Sequence, residues 1–362
     1  MFKQYNTVLF IAISLSIAGC QNNSSPAVAG ADSSNYEKFE PADGKVILFV
    51  GQELDAIGGT TNYTDGYYDH FSAPGGFTQY TDFHSPGLKG LTSFADWGDG
   101  PEDMSVTTSA PRLQHSCLAI GLDMSNGDDS VTAAGGRDSL IYKLGNWIKD
   151  LGNRPVFLRI GYEFNGHEWN HYQPAFYIAA WKRIKNKFDS MGVSNVAYVW
   201  QSKGIGTTKE ELQAYYPGDE YVNWVAYSYF IPADSSHAMI PFAREHKKPL
   251  FIAESSPVFL DSNGICKPLD LTKQADAELA WKDWFLPYFR TIEQNKDVIK
   301  AIHYINSHWK SRPLWKDNPY FKNIDARITE NDSLKAWWAR ETTGSSFLNA
   351  SDTLFRYLEN KK

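Results

Sequence analysis

Residues 154–163 have the sequence Arg-Pro-Val-Phe-Leu-Arg-Ile-Gly-Tyr-Glu, an apolar run that ends on a glutamate. Residues 248–254, Lys-Pro-Leu-Phe-Ile-Ala-Glu, repeat this arrangement. A short apolar run rich in β-forming residues predicts a buried strand, and acids at the carboxyl ends of strands lie where α/β barrels form their active sites. Glu163 and Glu254 are therefore the first candidates for functional residues.

The same kind of run recurs along the chain and alternates with helical patterns. Apolar residues of 138–151 and 176–191 repeat at helical spacing, and we expect further helices near residues 208–215, 276–295 and 333–340, with one more segment around 235–245. Eight strands with intervening helices predict an α/β protein with the architecture of a (β/α)8 TIM barrel. The strand candidates are Val46–Val50, Phe77–Asp82, Ser116–Leu122, Val156–Gly161, Asn195–Trp200, Val222–Tyr229, Pro249–Glu254 and Val298–Asn306.

The amino terminus has the features of an export signal. Lys3 precedes an apolar stretch from Val8 to Ile17 that is too short to span a bilayer. Small residues directly before Cys20 resemble a bacterial lipobox, which implies cleavage before Cys20 and acylation of its thiol. An ordinary secretory signal with a chance cysteine is the alternative. We therefore predict that residues 1–20 are a lipoprotein signal peptide.

The segment after the signal is rich in Ser, Ala, Asn and Gly and offers little to bury. We predict that residues 21–41 form a flexible tether and that residues 42–362 form a single domain, because no second linker interrupts them. The membrane would then be a partner through the lipid anchor alone. The expected location is the bacterial cell envelope.

Composition narrows the range of functions. The net charge of −7 and the lack of a basic run argue against a nucleic-acid partner. Aromatic residues make up 15% of the chain, which suits a surface that stacks on flat ligands. Besides Cys20 the chain has Cys117 and Cys266; they could join in an exported protein, although a buried free thiol is the better interpretation of Cys117.

Two glutamates on one barrel rim fit the hydrolysis of a glycosidic bond. One carboxyl group gives a proton to the leaving oxygen, and the other attacks the anomeric carbon or guides water to it. Carboxyl groups about 5–5.5 Å apart retain the anomeric configuration, whereas a separation of about 6.5–9.5 Å leads to inversion. The structural alternative is that such acids cap helices or pair with arginines.

The segments 159–166 (Arg-Ile-Gly-Tyr-Glu-Phe-Asn-Gly), 215–222 (Tyr-Tyr-Pro-Gly-Asp-Glu-Tyr-Val) and 251–254, together with Trp169, resemble the retaining β-glycanases of glycoside hydrolase family 26. In that family the strand-four glutamate is the acid/base and the strand-seven glutamate is the nucleophile. The resemblance therefore implies these roles for Glu163 and Glu254, and it implies an endo-acting enzyme with a polysaccharide substrate.

The substrate is less closely defined. Mannanases of the family usually have His directly before the acid/base, whereas this chain has Tyr162, and its Tyr-Glu-Phe core is more similar to the β-1,3-xylanases. The resemblance thus implies β-1,3-xylan or β-mannan. A β-linked algal galactan of the carrageenan or agar type stays as an alternative, because Tyr162 and residues 255–257 (Ser-Ser-Pro) fit no mannanase pattern.

Further side chains are expected around the two acids. Tyr162, Phe164 and Trp169 would form an apolar wall that keeps Glu163 protonated, and Arg159 with Tyr227 or Tyr229 would keep Glu254 ionised. Of the two tyrosines we favour Tyr229, because it lies nearer the rim. The expected sugar platforms are Trp169, Tyr172, Trp200, Phe230 and Trp309, and the expected polar partners are Asn165, Gln201, Asn306 and His308.

Residues 167–171, His-Glu-Trp-Asn-His, match the zinc-protease pattern, but Gly166 and Pro174 leave no room for the helix that this metal site requires. The acids between 123 and 129 lack calcium-loop spacing and fit a turn after strand three. We therefore predict neither a metal nor a cofactor. The alternative function of another class is a lipoprotein that binds glycans without cutting them.

Overall fold

The computed structural model describes residues 36–232 and 238–360, so the predicted signal peptide and Cys20 lie outside the described residues. Eight parallel strands follow one another in sequence order, and the eighth pairs with the first to close a barrel. The (β/α)8 prediction is confirmed. The strands are β1 (Val46–Gly51), β2 (Gly76–Asp82), β3 (Cys117–Asp123), β4 (Val156–Ile160), β5 (Val196–Ser202), β6 (Trp224–Tyr229), β7 (Leu250–Ser255) and β8 (Ile299–Ile305).

Helices lie between the strands and cover the barrel. A π-helical turn, Trp281–Phe285, joins α9 to α10, so the helix expected over 276–295 is nearly continuous. Among the described residues no helix is both long and apolar enough to cross a membrane. The helices are α1 (Leu54–Ile57), α2 (Tyr67–His70), α3 (Met104–Ser109), α4 (Asp128–Ala133), α5 (Asp138–Asp150), α6 (Pro174–Met191), α7 (Lys209–Tyr215), α8 (Met239–His246), α9 (Gln274–Ala280), α10 (Leu286–Gln294), α11 (Asp332–Thr342) and α12 (Leu354–Glu359).

Alternation along the strands divides the apolar residues into two layers. The outward set packs against the helices, and the inward set fills the barrel axis. Inside the barrel the Phe157 ring lies 5.2 Å from Phe49 and 5.3 Å from Trp224, measured between ring centroids. Cys117 belongs to this inner layer and is a free thiol, as is Cys266.

The amino-terminal end of the barrel is closed by residues 36–41. Phe39 is 3% exposed, and its ring centroid lies 5.8 Å from that of Phe157. The Trp224 indole donates a 2.7 Å hydrogen bond to the carbonyl of Lys38. Phe39 supplies apolar surface that the barrel end buries, so residues 36–41, which were predicted to belong to the tether, pack against the barrel.

The pairing of β6 with β7 contains a register shift. Tyr227 lies opposite Ile252, but the next residue, Ser228, lies opposite Glu254, so that Ala253 is passed over. Such a bulge inserts one residue into one strand and turns the following side chains. This irregularity lies at the carboxyl end of β7, where it determines the direction of Glu254.

Candidate active site

A cleft of about 790 Å³ opens at the carboxyl ends of the strands, and both Glu163 and Glu254 line it. Every barrel strand, or the loop that follows it, contributes to the walls. The lining also includes Gln52, Tyr80, Asp82, His84, Trp97, Asp99, Asp123, Asn126, Tyr162, Glu168, Trp169, Lys203, Ser228, Phe230, Trp309, Trp315, Tyr320 and Phe321.

Glu254 is held by three donors that share one of its oxygens. Oε1 accepts hydrogen bonds from the Tyr80 hydroxyl at 2.9 Å, from the Gln201 amide at 3.4 Å and from the Arg159 guanidinium. Arg159 is fully buried, so its permanent charge has no water to solvate it and is balanced by the carboxylate. Among the described residues, Oε2 accepts no hydrogen bond, which leaves this oxygen available for reaction.

Arg159 is itself fixed from several sides. Its Nε donates to Gln201 Oε1 at 2.7 Å, and its guanidinium carbon lies 5.1 Å and 5.2 Å from the ring centroids of Tyr80 and Tyr162. Aromatic faces attract cations, most strongly where water is excluded. The guanidinium therefore has one orientation, and Glu254 is positioned by a rigid partner.

Ser228 connects the two glutamates. Its hydroxyl donates to Glu163 Oε1 at 2.5 Å and accepts from the Gln201 amide at 3.1 Å, and the same amide reaches Glu254. Phe251 and Ala253 belong to the inner layer, so regular alternation would turn Glu254 outward. The register shift between β6 and β7 directs it into the cleft instead, beside Ser228.

Glu163 has a different electrostatic environment. Burial raises the pKa of its carboxyl group to about 8, and the negative charge of Glu254 contributes in the same direction. The Ser228 hydrogen bond and the Arg159 charge oppose this rise in pKa. A carboxyl group with this pKa carries its proton at neutral pH, which is the state that a general acid requires.

A sharp turn after β4 places Glu163. Gly161 has a φ of 52° and Glu163 a φ of 50°, both in the left-handed region. A Cβ atom on Gly161 would lie 2.7 Å from the Tyr177 ring, so a side chain there would be both strained and crowded. The Asn170 amide donates to the carbonyl of Glu163 at 2.7 Å and stabilises this conformation.

Aromatic rings form the cleft wall next to Glu163. The Tyr162 ring centroid lies 5.5 Å from that of Trp169 and 5.2 Å from that of Tyr80. Two glycines make room for them: a Cβ on Gly166 would lie 2.3 Å from Trp169 Nε1, and one on Gly121 would lie 2.3 Å from the Tyr80 ring. Tyr162 and Trp169 thus lie in the cleft as predicted.

A second aromatic wall comes from the loop after β8. Trp309 stacks on Phe321 with centroids 4.4 Å apart, and Trp315 and Phe230 meet the Phe321 ring edge-on. Phe230 and Trp309, both expected to be sugar platforms, line the cleft here. The cleft therefore has aromatic surfaces on two sides, and such surfaces stack on the C–H faces of pyranose rings.

Four predicted cleft residues lie in the core instead. Tyr229 points outward and packs 5.0 Å from the Tyr288 ring, and Trp200 points outward and stacks 4.3 Å from Phe164. Alternation gives the inward positions to their neighbours Ser228 and Gln201, so neither Tyr229 nor Trp200 reaches the cleft. Tyr227 and Phe164 are likewise buried outside the cleft.

Two further residues that were expected in the cleft, Tyr172 and Asn165, hold loops in place instead. The Tyr172 hydroxyl accepts from the Met124 amide at 3.0 Å and holds the loop after β3. Asn165 accepts from the Lys203 amide at 2.9 Å and donates to Thr207 at 3.0 Å, which ties together the loops after β4 and β5. Both side chains are buried, because these loops need internal partners for their polar backbone groups.

Asn306 and His308 line a neighbouring polar hollow of about 360 Å³ rather than the cleft that contains Glu163 and Glu254. The Asn306 carbonyl oxygen accepts from the Ile328 amide at 2.8 Å, and His308 lies 3.3 Å from a carboxylate oxygen of Asp325. Their chain continues to Trp309, which turns into the cleft. Of the four predicted polar partners, only Gln201 contacts a candidate catalytic residue; the other three are Asn165, Asn306 and His308.

Sequence reasoning missed Tyr80, Asp82 and Ser228. A signal existed for Asp82, because the second predicted strand ends on this acid just as the strands of Glu163 and Glu254 do. Tyr80 then follows from alternation, since it precedes Asp82 by two residues and faces the same side. Ser228 carries no sequence signal, because its position depends on the register shift.

The zinc-protease pattern at residues 167–171 does not form a helix. These residues form turns, and α6 begins only at Pro174. His167 pairs with Glu211, and Glu168 lies 3.2 Å from the Lys203 ammonium. The arrangement that would bring both histidines to one metal is therefore not present in these described turns.

Comparisons with known proteins identify relatives of this chain. The model of the family described as glycosyl hydrolase family 26 matches residues 123–313. A β-1,3-xylanase from Alcaligenes sp. is 31% identical over 335 residues, which cover 89% of this chain and 68% of that protein. The β-1,3-xylanase TXYA from Vibrio sp. is 30% identical over 336 residues, covering 89% and 69% respectively.

The fold is similar to solved structures at much lower identity. The GH26 β-mannanase BoMan26A from Bacteroides ovatus has a TM-score of 0.59 and 12% sequence identity, covering 86% of this chain and 93% of that one. GH26C from Muricauda sp. has a TM-score of 0.55 and 14% identity. At these identities the likeness concerns the barrel alone.

Proposed function

Because the chain belongs to glycosyl hydrolase family 26 and is a retaining glycoside hydrolase that cleaves β-glycan, we propose that it hydrolyses β-1,3-xylan with Glu163 as acid/base and Glu254 as nucleophile. The observation that carries the proposal is the contrast between two carboxyl groups in one cleft. One faces a buried guanidinium, whereas the pKa of the other is raised to about 8.

The first step would break the glycosidic bond. Oε2 of Glu254 attacks the anomeric carbon while the proton of Glu163 moves to the leaving oxygen, and a covalent glycosyl ester forms on Glu254. Tyr80, Gln201 and Arg159 stay on Oε1 and hold the carboxylate in place. Because they are already in position, they need no reorganisation during the attack.

The second step would return the enzyme to its starting state. Glu163, now ionised, removes a proton from a water molecule that attacks the anomeric carbon, and the ester bond to Glu254 breaks. Conversion of Glu254 to an ester removes the negative charge that helps to raise the pKa of Glu163. The pKa of Glu163 therefore falls, so that its carboxyl group is ionised when it must act as base, and two inversions give net retention.

The choice of β-1,3-xylan follows from the two relatives of about 30% identity, both named β-1,3-xylanases. Tyr162 before the acid/base supports it, since it lines the cleft and packs on Trp169. The cleft also carries carboxylates from Asp82, Asp99 and Glu168, against the cations of His84 and Lys203. This excess of acids disfavours a sulfated algal galactan, because like charges repel in a partly desolvated cleft.

We also propose that the enzyme is a lipoprotein of the bacterial envelope, anchored at Cys20 after cleavage directly before this residue. The apolar stretch and the small residues before Cys20 support this proposal. Residues 21–35 would serve as the tether. Degradation of polysaccharide outside the cytoplasm fits such a location.

The test of activity is a panel of polysaccharides with purified protein. Release of reducing ends is measured on β-1,3-xylan, β-1,4-mannan and carrageenan, and product anomers are followed by NMR. We expect β-1,3-xylan to be cleaved with the β-anomer formed first. Glu163→Gln and Glu254→Gln should each lose at least about 10²-fold in kcat/KM while still binding oligosaccharide.

The matched control is Glu102→Gln, which changes a buried glutamate that does not line the cleft. It should keep wild-type activity. Equal hydrolysis by the wild type and both catalytic variants would refute the two-glutamate assignment. Cleavage of mannan or carrageenan in place of xylan would refute only the substrate.

A further inference from the structure

The carboxylate of Asp82 is buried and lacks a well-formed hydrogen bond. It ends β2, is 2% exposed and lines the cleft. Neither of its carboxylate oxygens has a hydrogen-bond partner of normal geometry among the described residues, although the Trp97 indole interacts with the group. Buried polar groups are nearly always hydrogen-bonded, so an unsatisfied carboxylate in the wall of a cleft indicates a missing ligand.

The position of Asp82 relates it to the catalytic pair. It follows Tyr80 by two residues on the same strand, so both side chains face the same side, about 6–7 Å apart along β2. Tyr80 donates to Glu254 at 2.9 Å. A sugar unit whose anomeric carbon lies against Glu254 would therefore extend along the part of the cleft wall that Asp82 forms.

We propose that Asp82 is a substrate-binding residue whose carboxylate accepts hydrogen bonds from hydroxyl groups of a neutral sugar unit beside Glu254, and that this contact excludes units carrying sulfate or carboxylate there. The proposal rests on the glycan-hydrolysing function proposed above and specifies the sugar that one part of its cleft accepts. Trp97 lines the same cleft. Because both carboxylate oxygens are buried and the Trp97 indole interacts with the group, the proposed contact requires this indole to turn aside.

The charges around Asp82 are compatible with this role. His84 and Lys89 stabilise its anion, whereas Asp123 and burial oppose it, with the net result that the pKa of Asp82 lies above its ordinary value. His84 is held between Asp123, at 3.0 Å, and Asp128, and these carboxylates raise its pKa to about 9. The cation of His84 is therefore already paired, and it is not free to bind a sulfate group.

Asp99 extends the same acceptor surface. It lies in the cleft next to Trp97, and its Oδ1 has no hydrogen-bond partner among the described residues. A sugar unit in this part of the cleft would meet two acceptor carboxylates beside the Trp97 indole. The wall formed by Trp309 and Phe321 is aromatic. Sugar units that carry a negative charge should therefore be rejected from the Asp82 part of the cleft.

The test compares Asp82→Asn and Asp82→Ala with the wild type. On a linear β-1,3-xylo-oligosaccharide, kcat/KM should fall about 10- to 100-fold for Asn and further for Ala, because hydrogen bonds to a charged acceptor are lost. In the Glu163→Gln background, the Kd for the same oligosaccharide should rise in parallel. Chemically sulfated oligosaccharide should inhibit the Ala variant more strongly than the wild type.

Melting temperature separates binding from structure. An unpaired buried carboxylate destabilises the fold, so Asp82→Asn should melt at or above the wild-type temperature at pH 7. Glu102→Gln, from the same region but outside the cleft, should also keep its melting temperature, and its kcat/KM should stay unchanged. An Asp82→Asn variant that melts lower than the wild type with unaltered kinetics would overturn the inference.

The same experiments distinguish an incorrect substrate from an incorrect role for Asp82. If the wild type cleaves no β-1,3-xylan, the proposed activity is refuted. The comparison of melting temperatures still tests the proposed role of Asp82. A lower melting temperature for Asp82→Asn would then reject the inference as well. If the wild type cleaves xylan and Asp82→Ala does so equally well, the function stands and the role of Asp82 falls.

Discussion

Arg159 and Glu254 form an ion pair inside the barrel although 95 positions separate them in the sequence. The guanidinium is fully buried, and the carboxylate is 8% exposed. Removing one partner of such a pair leaves an uncompensated charge, which costs about 3–5 kcal/mol. The pair is therefore important both for the fold and for the orientation of the candidate nucleophile.

We expect Arg159→Met to lower the melting temperature and to reduce kcat/KM at least about 10²-fold, because Glu254 loses its charged partner. Arg159→Lys should recover part of the stability but less of the activity, since an ammonium group cannot reach Glu254, Gln201 and Tyr80 together. Calorimetry and steady-state kinetics measure the two effects.

The control for this prediction is Arg154→Met. Arg154 is also buried and donates to the carbonyls of Leu113 and Ser116, away from the cleft. It should lose stability but keep the kcat/KM of the folded protein. Equal loss of activity in both variants would mean that Arg159 acts only through the fold.

The pH profile should report Glu163. Because its pKa is raised to about 8 and it must be protonated to act as the acid, kcat/KM should fall as the pH rises above about 8. Ser228→Ala should move this limb to higher pH, since the Ser228 hydrogen bond lowers the pKa. Ser130→Ala, on the exposed surface of α4, should leave the profile unchanged. A shift to lower pH in Ser228→Ala would contradict the assignment.

Glu163 should also weaken the fold at neutral pH. Its ordinary pKa is 4.5 and its folded value is about 8, so between these values the unfolded chain loses a proton that the folded chain keeps. Stability therefore falls as the pH rises through this window. Glu163→Gln should melt higher than the wild type at pH 8 and at nearly the same temperature at pH 4.5. A difference that does not change with pH would argue against the raised pKa.

Gly166→Ala tests the wall formed by Trp169. The added Cβ would lie 2.3 Å from Trp169 Nε1, so the indole must move away from Tyr162. We expect kcat/KM to fall roughly 2- to 10-fold through the loss of one stacking contact. Gly344→Ala is the control, because a Cβ there would come no closer than 3.8 Å to the Glu341 carbonyl. Unchanged kinetics in Gly166→Ala would exclude Trp169 from substrate binding.

Cys20→Ser tests the proposed anchor. Without its thiol the chain cannot be acylated, so the enzyme should move from the detergent phase to the aqueous phase on partitioning of cell extracts. Cys266→Ser, which changes a free thiol of the folded domain, should stay in the detergent phase. Equal partitioning of Cys20→Ser and wild type would remove the lipoprotein proposal.

The barrel could be predicted from the sequence because its strands are short apolar runs between turns and helices. What the sequence could not provide was the face of each strand. In β5 and β6 the apolar residues occupy both faces, since parallel strands are buried on both sides. Trp200 and Tyr229 were expected in the cleft, whereas it is the neighbouring Gln201 and Ser228 that face the barrel interior and contact the two glutamates.

The candidate catalytic residues were easier to predict than their supports. Glu163 and Glu254 end recognisable strands, and a strand end lies at the rim whatever its register. Tyr80 depends on packing against Gly121, which lies 41 positions away on a neighbouring strand. Such a contact between distant positions has no local signature, and the same holds for the burial that leaves Asp82 without a partner.

The omission of Ala253 from the pairing of β6 with β7 has a consequence for redesign. The backbone, and not the side-chain rotamer, determines the direction in which the Glu254 side chain points. Ser228 faces Glu254 only because Ala253 is left out of the pairing. Grafting these side chains onto an idealised barrel with regular pairing would rotate the acid into the helical layer. A scaffold intended to carry this chemistry must copy the irregularity first and the residues second.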